Sequence, residues 1–302
     1  MTGSDAPARP DPPTREDRSL RWLAALALAP AMSGAYAAVT LALPPPPTVA
    51  TLVVGIGIGL ASAFAALALA SRAKPPLWAN GVAVALALVG LIVAYAVGER
   101  SLAWVPVGAL LLVAGAWGIG GAIGARVEHA GHMLPAACVA AAADLASVLH
   151  PAGPSHAIAS SERALSVVAL NVPLPGGIAA PVLGVGDLVF AAIAFGVATR
   201  HGVSVVRPLL GIALGASASI ALAAVLERPI PALVAMGAFA VLLTPAFRSV
   251  RRADRKTTRI AVALSIAVAI ALVLRAVVTR EEVVVPEGGG AGAPSASATS
   301  PR

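Results

Sequence analysis

Two aspartates inside long apolar segments are the residues whose type and placement could support chemistry. Asp144 lies near the end of the run 134–149, and Asp187 lies near the start of another apolar run. The other twelve acidic residues lie in polar tails or short connections. A carboxylate is costly to place within a bilayer, so each of these two is a functional-site hypothesis, with the other as its partner. Two facing carboxylates share a proton, which predicts acid/base chemistry inside the membrane.

The composition is typical of an integral membrane protein. Of 302 residues, 58% are hydrophobic and 12% are charged, and the net charge is +7. In a soluble protein this charge would favour a nucleic-acid partner, but the basic residues fall between apolar runs and instead indicate cytoplasmic loops. Cys138 is the single cysteine, so no internal disulfide can form. We find no phosphate-binding glycine loop and no nucleic-acid module.

Apolar runs of about 20 residues predict an all-α fold with nine transmembrane helices. Their approximate bounds are 20–43, 48–71, 77–98, 102–124, 133–150, 180–199, 208–226, 230–247 and 258–278. We expect four N-terminal helices over 20–124, a core over 133–247 that carries both aspartates, and an extra C-terminal helix over 258–278. The polar leader 1–19 and the Gly/Ala/Ser/Pro-rich tail 286–302 are predicted to be disordered.

The positions of Lys and Arg predict the orientation in the membrane. With nine spans, fifteen basic residues fall on one side: Arg9, Arg15, Arg18, Arg21, Arg72, Lys74, Arg126, Arg200, Arg207, Arg248, Arg251, Arg252, Arg255, Lys256 and Arg259. Cytoplasmic segments carry the excess of basic residues. We therefore expect a cytoplasmic N-terminus, an exterior C-terminus and an exterior connection 151–179.

The predicted spans place both aspartates at a similar depth. Asp144 lies six residues before the end of its span and Asp187 seven residues after the start of the next. At the helical rise this is roughly 9–11 Å below the same membrane surface. Consecutive antiparallel helices can then bring the two carboxylates face to face. One carboxylate could activate water while the other protonates the carbonyl oxygen or leaving nitrogen of a peptide bond.

Three short motifs occur in order around these residues. The first runs from Asp144-Leu145 to Pro151-Ala-Gly-Pro154, the second is Gly184-Val185-Gly186-Asp187, and the third is Pro231-Ala232-Leu233. Together they resemble the motifs of the presenilin and signal peptide peptidase family of intramembrane aspartyl proteases, over about residues 134–247. A presenilin-like helical bundle of bacterial or archaeal type is the fold that this resemblance implies.

The resemblance also implies the function and the roles of these residues. In the family the two aspartates are catalytic, so it assigns catalysis to Asp144 and Asp187. It assigns the active-site motif to Gly184, Val185 and Gly186, and substrate docking to Pro231, Ala232 and Leu233. The substrates would be transmembrane helices of other proteins within the bilayer of a prokaryotic cytoplasmic membrane. No metal and no organic cofactor would be needed.

This chain departs from the family pattern in three respects. Ala143 precedes the first aspartate where the family usually has Tyr. One span fewer precedes that aspartate than in presenilin, and an extra span follows Pro231–Leu233. The dyad would then open to the exterior side, as in signal peptide peptidase. The connection between the aspartates is also short, with no room for the long loop at which presenilin is cut.

Other interpretations remain open at the level of sequence. A proton-relay pair in a transporter, or a catalytically silent membrane scaffold on the same fold, would also place two acids in the bilayer. Gly215-Ala-Ser217 resembles a rhomboid nucleophile motif, yet all five histidines precede Ser217, so helix packing by small residues is the better interpretation. The histidines lie in connections without a neighbouring cysteine, which favours solvated loops over a metal site.

Overall fold

The described residues of the chain form an all-α architecture. The computed structural model describes residues 15–43, 49–73, 75–98, 102–150, 153, 158, 161–226 and 230–281, and it is 80% helical. Residues 1–14 of the predicted leader and the tail 286–302 lie outside the described part. Residues 15–19, predicted to be disordered, instead begin the first helix. The helix formed by the apolar run that follows extends backward over these polar residues.

In the described part of the chain, nine helices of twelve residues or more overlap the predicted spans. In chain order they are α1 (Arg15–Leu41), α2 (Val49–Arg72), α3 (Leu77–Val97), α4 (Trp104–Gly124), α5 (Met133–Leu149), α7 (Val185–Arg200), α8 (Val206–Leu226), α9 (Ala232–Leu243) and α11 (Arg255–Glu281). Two shorter helices, α6 (Glu162–Val168) and α10 (Pro245–Arg248), lie between them, and a 3₁₀ turn (Ala130–His132) precedes α5.

Seven of the helices in the described residues are long and apolar enough to cross a membrane. The other two, α7 with 16 residues and α9 with 12, are shorter than a bilayer requires. Helix α7 begins within the Gly184–Asp187 motif, and α9 begins within the Pro231–Leu233 motif. By length and composition the chain is therefore a helical membrane protein with at least seven candidate spans.

A β-hairpin replaces part of the predicted connection and part of the predicted sixth span. Strand β1 (Ala169–Leu174) pairs antiparallel with β2 (Ile178–Gly184), from Leu174 opposite Ile178 to Ala169 opposite Gly184. The turn residues Gly176 and Gly177 have φ of 87° and 76°, a left-handed conformation that glycine adopts at little cost. Residues 180–184, predicted to be helical, are thus extended, and the helix begins five residues later.

The core lies around α4, which contacts α1, α2, α3, α7 and β1. Its Trp117 is fully buried, as are Phe64 of α2 and Phe195 of α7. A second layer consists of α5, packed against α9 and α11, and of α8, packed against α9. Because α7 contacts α4 as well as α5 and α9, it lies between the two layers.

Candidate active site

The first aspartate is held by the start of α9. The backbone N–H of Leu233 donates a hydrogen bond to Asp144 Oδ2 over 2.9 Å, across 89 residues of sequence. The first N–H groups of a helix have no intrahelical acceptor, so a carboxylate is a natural partner for them. The bond therefore joins the first and third motifs in one site.

Pro231 sets the geometry of that helix start. It is the N-cap residue of α9, with φ −61° and ψ 108°, and α9 begins at Ala232. An extended conformation is typical of an N-cap residue, and proline has no N–H group that would need a partner there. Pro231, Ala232 and Leu233 are all partly buried, so this segment is partly accessible beside the carboxylate.

The second aspartate lies in the first turn of α7. Asp187 Oδ2 accepts a hydrogen bond of 3.0 Å from the backbone N–H of Gly184, the N-cap residue of the helix. This is the backward half of a capping box, in which the third helical residue satisfies the N-cap amide. Asp187 is therefore two residues into its helix, not two turns inside it as predicted, because β2 occupies the preceding residues.

The two carboxylates nevertheless share one site. Asp144 and Asp187 are each partly buried, and their carboxylates are close enough for their charges to interact. Helices α5 and α7 contact each other, which brings the two aspartates together. Each carboxylate accepts one backbone N–H bond through Oδ2. Two carboxylates whose charges repel each other ionise one at a time more easily than together, which is the property that acid/base catalysis by two acids requires.

The glycines of the second motif leave space beside Asp187. A methyl group added at Gly186 would meet nothing within 4 Å in the described residues. At Gly184 the same group would lie 3.4 Å from Asp187 Oδ2. Val185 between them is 37% exposed. The backbone on this side of the carboxylate is thus open to an approaching chain.

Close packing against α4 fixes the position of α7. A Cβ added at Gly120 would lie 2.8 Å from both Ile193 N and Val189 O. One added at Gly124 would lie 3.0 Å from Ile193 O. The two glycines, one turn apart, therefore allow the backbones of α4 and α7 to touch, as small residues do in membrane helix pairs.

The hairpin is the part of the site that the sequence analysis missed. Strand β2 runs directly into Gly184, so the strand and the second motif are continuous. Strand β1 is largely buried against α2 and α4, whereas several residues of β2 are exposed. The signal that could have found it is Pro175-Gly176-Gly177 between two short apolar runs.

The serine motif is explained by helix packing. A Cβ added at Gly215 would lie 2.5 Å from Met236 N, so α8 and α9 touch through their backbones there. Ser217 is exposed on α8 and Ser219 is buried. This agrees with the small-residue interpretation of the segment.

Three histidines gather at the opposite ends of the helices. His132 Nε2 lies 3.2 Å from Asp254 Oδ2, and His201 Nε2 lies 3.0 Å from the carbonyl oxygen of Val127. His129 packs at 6.1 Å and 6.3 Å from the rings of His132 and His201. Within the described residues, no group of three His, Cys, Asp or Glu side chains could hold a metal ion.

No model of a known protein family matches the chain, and neither a curated protein nor a solved structure matches it.

Proposed function

We propose that the chain is an intramembrane aspartyl protease of the presenilin and signal peptide peptidase type. The observation that carries the proposal is the meeting of the three motifs at Asp144. Its carboxylate accepts a hydrogen bond from the backbone N–H of Leu233 in the third motif, and its charge affects Asp187 of the second motif. A packing motif gives no reason for two acids and a helix start to converge in an apolar bundle.

The proposed reaction is hydrolysis of a peptide bond by the dyad with one shared proton. The unprotonated carboxylate takes a proton from water, whose oxygen attacks the scissile carbonyl carbon. The protonated carboxyl gives its proton to the carbonyl oxygen. The carboxyl group that took the proton from water then donates it to the leaving nitrogen as the C–N bond breaks. The other carboxylate takes a proton from a hydroxyl group of the tetrahedral intermediate, so the products are a carboxylic acid and an amine and the dyad returns to its starting state. None of these steps uses a metal or an organic cofactor.

The hairpin supports binding of a substrate in an extended form. Strand β2 is paired on one side by β1, and its continuation passes Gly186, where the backbone is open. The edge of a strand pairs readily with another extended chain. A substrate segment added beside β2 would run toward Asp187, and unwinding it there would expose its peptide bonds to the dyad.

Helix α7 is long enough to complete a crossing if the extended strand β2 before it counts toward the span. The 16 residues of α7 span about 24 Å, less than the roughly 30 Å of hydrocarbon. The seven residues of β2 add about 23 Å of extended chain. Non-helical backbone at membrane depth is tolerated where its polar groups are paired or line a cavity, and β1 provides that pairing.

The decisive experiment is cleavage of a single-span substrate by purified protein in detergent or liposomes. We expect Asp144→Ala and Asp187→Ala each to abolish cleavage, because one shared proton needs both carboxylates. Glu128→Gln, at an exposed acidic residue outside the spans, is the matched control and should cleave normally. Substantial cleavage by either aspartate variant would refute the dyad, and inactivity of the wild-type chain on every substrate would favour a transporter or a silent scaffold.

A further inference from the structure

A cavity of about 340 Å³ whose apolar lining includes several polar side chains, called here the polar cavity, lies far from the dyad, where four helices end together. It lies between the end of α2, the start of α3, the end of α4 and the end of α7. Its polar and aromatic lining consists of Ser71, Asn80, Trp117, Thr199 and Arg200. The charge distribution predicts that this face of the molecule is cytoplasmic.

Two buried polar atoms in this lining have no partner. Asn80 is 6% exposed, and its Oδ1 accepts no hydrogen bond from the described residues. Thr199 Oγ1 is also buried and unpartnered in the described part of the chain. Most buried polar atoms in folded proteins are paired, and an unpaired one costs stability. Both residues line this cavity, so a ligand bound there would be the natural source of the missing hydrogen bonds.

Arg200 gives the cavity its charge. It lies in the last turn of α7, is exposed and lines the same cavity as the two unpartnered atoms. A guanidinium group favours the planar, charged oxygens of phosphate or carboxylate groups. The ligand should therefore carry an anion beside its hydrogen-bonding groups.

A second, apolar cavity next to the first indicates that the anionic ligand also has an apolar part. It measures about 410 Å³, is lined almost entirely by apolar side chains of α1, α3 and α4, and includes Trp22, Trp78 and Leu86. Trp78 and Leu86 are 68% and 64% exposed, so this cavity opens toward the lipid. Trp22 stacks on Trp117 of the polar cavity with ring centroids 5.3 Å apart. An apolar groove beside a polar cavity matches an amphiphile better than a soluble anion.

We infer that this pair of cavities binds an anionic glycerophospholipid of the cytoplasmic leaflet, such as phosphatidylglycerol. The phosphate lies against Arg200, the headgroup hydroxyls donate to Asn80 Oδ1 and bond with Thr199 Oγ1, and an acyl chain lies in the apolar groove. The site is independent of the proposed proteolysis, because none of these residues belongs to the three motifs.

The test is native mass spectrometry of the full chain titrated with dioleoyl phosphatidylglycerol or dioleoyl phosphatidylcholine. We expect the first lipid to bind about tenfold more tightly or better, as a charged hydrogen bond contributes. Arg200→Gln should remove about that factor and Thr199→Val about threefold. In lipid-free detergent Thr199→Val should melt no lower than wild type, because it removes an unpartnered hydroxyl group.

The matched control is Arg252→Gln, an exposed arginine on the same predicted face but outside the cavity. It should leave the affinity within about twofold, as expected of a surface charge. Equal binding of both lipids, or equal weakening by Arg252→Gln and Arg200→Gln, would overturn the site. Glycerol 3-phosphate is the third ligand in the titration. If it bound as tightly as phosphatidylglycerol, the site would be one for a soluble phosphate ester and the lipid inference would be wrong.

Discussion

At the scale of single residues, the candidate site depends on backbone donors. Asp144 and Asp187 each accept one N–H group, from Leu233 and Gly184, and each of these groups lies at a helix start. Backbone donors cannot rotate away as a side chain can, so they hold both carboxylates in place, as the proposed protease would need before its substrate arrives. Fixed placement of reacting groups is a large part of enzymatic rate enhancement.

The hydrogen bond from the Leu233 N–H to Asp144 can be tested by substitution, although its donor is a backbone group. Leu233→Pro deletes the N–H group, and the first turn of a helix tolerates proline. Loss of one hydrogen bond to a charged group should lower the cleavage rate about tenfold or more. Leu233→Ala keeps the amide and is the control, so it should lose much less activity. Equal losses in the two variants, at equal melting temperatures, would mean that the side chain matters and the amide does not.

The histidine cluster predicts a dependence of stability on pH. Burial, and then the neighbouring charge of Arg251, lower the pKa of His129, with smaller effects of His132 and His201 and an opposing effect of Asp254. A lowered pKa means that the folded state binds fewer protons than the unfolded state. The contribution of His129 to the free energy of unfolding is then fully present above its pKa in the unfolded state, about 6.5. It is lost as the pH falls through the lower pKa of the folded state.

Thermal melts in detergent at pH 7.5 and pH 5 measure this effect. The melting temperature should fall at the lower pH, and His129→Gln should reduce the fall. An identical fall in wild type and His129→Gln would assign the acid sensitivity to other groups.

The sequence was enough to single out the two aspartates, but not to predict which group binds Asp144. The two aspartates stood out because a charge in an apolar run has few structural explanations. The partner of Asp144 could not be predicted, because the Leu233 amide is a backbone group that any residue would carry. Its position follows from the packing of α5 against α9, which no local pattern encodes.

At the scale of elements, the apolar runs predicted the helices well and the hairpin not at all. The runs at α2, α3 and α4 begin and end within about two residues of the prediction. Residues 169–184 form two short apolar strands, and a short apolar run does not distinguish a strand from a helix by its period. The extended form is favoured by tertiary contact, since β1 packs into the space between α2 and α4.

Helix packing by glycine gives a prediction at this scale. Gly120→Ala places a methyl group 2.8 Å from backbone atoms of α7, so α7 must move away from α4. We expect a loss of about 1–3 kcal/mol of unfolding free energy and a lower cleavage rate, because α7 carries Asp187. Gly108→Ala in the same helix meets only Trp104 at 3.9 Å or more and should be neutral or slightly stabilising. Chemical unfolding of both variants in micelles would separate them, and equal stability would show that the α4–α7 contact is not tight.

At the scale of the whole molecule, charge and family analogy give opposite orientations. If the chain crosses the membrane nine times, fifteen basic residues fall on one side and favour an exterior connection 151–179, whereas analogy with presenilin would place it in the cytoplasm. That analogy would also export the cluster from Arg248 to Arg259, six positive charges that resist translocation. The leader and the cluster are separated by eight predicted spans, an even number, so they fall on the same side.

The orientation can be measured with single cysteines in a Cys138→Ala background. The two positions, Ser160→Cys and Ala253→Cys, are predicted to lie on opposite sides of the membrane. Intact cells that carry either variant are treated with a membrane-impermeant thiol reagent. We expect labelling of Ser160→Cys and protection of Ala253→Cys until the cells are opened. The reverse pattern would overturn the predicted orientation, and labelling of both would mean an error in the number of spans between them. The dyad would survive either result, because the contact of α5 with α7 and α9 does not depend on which side of the membrane it faces.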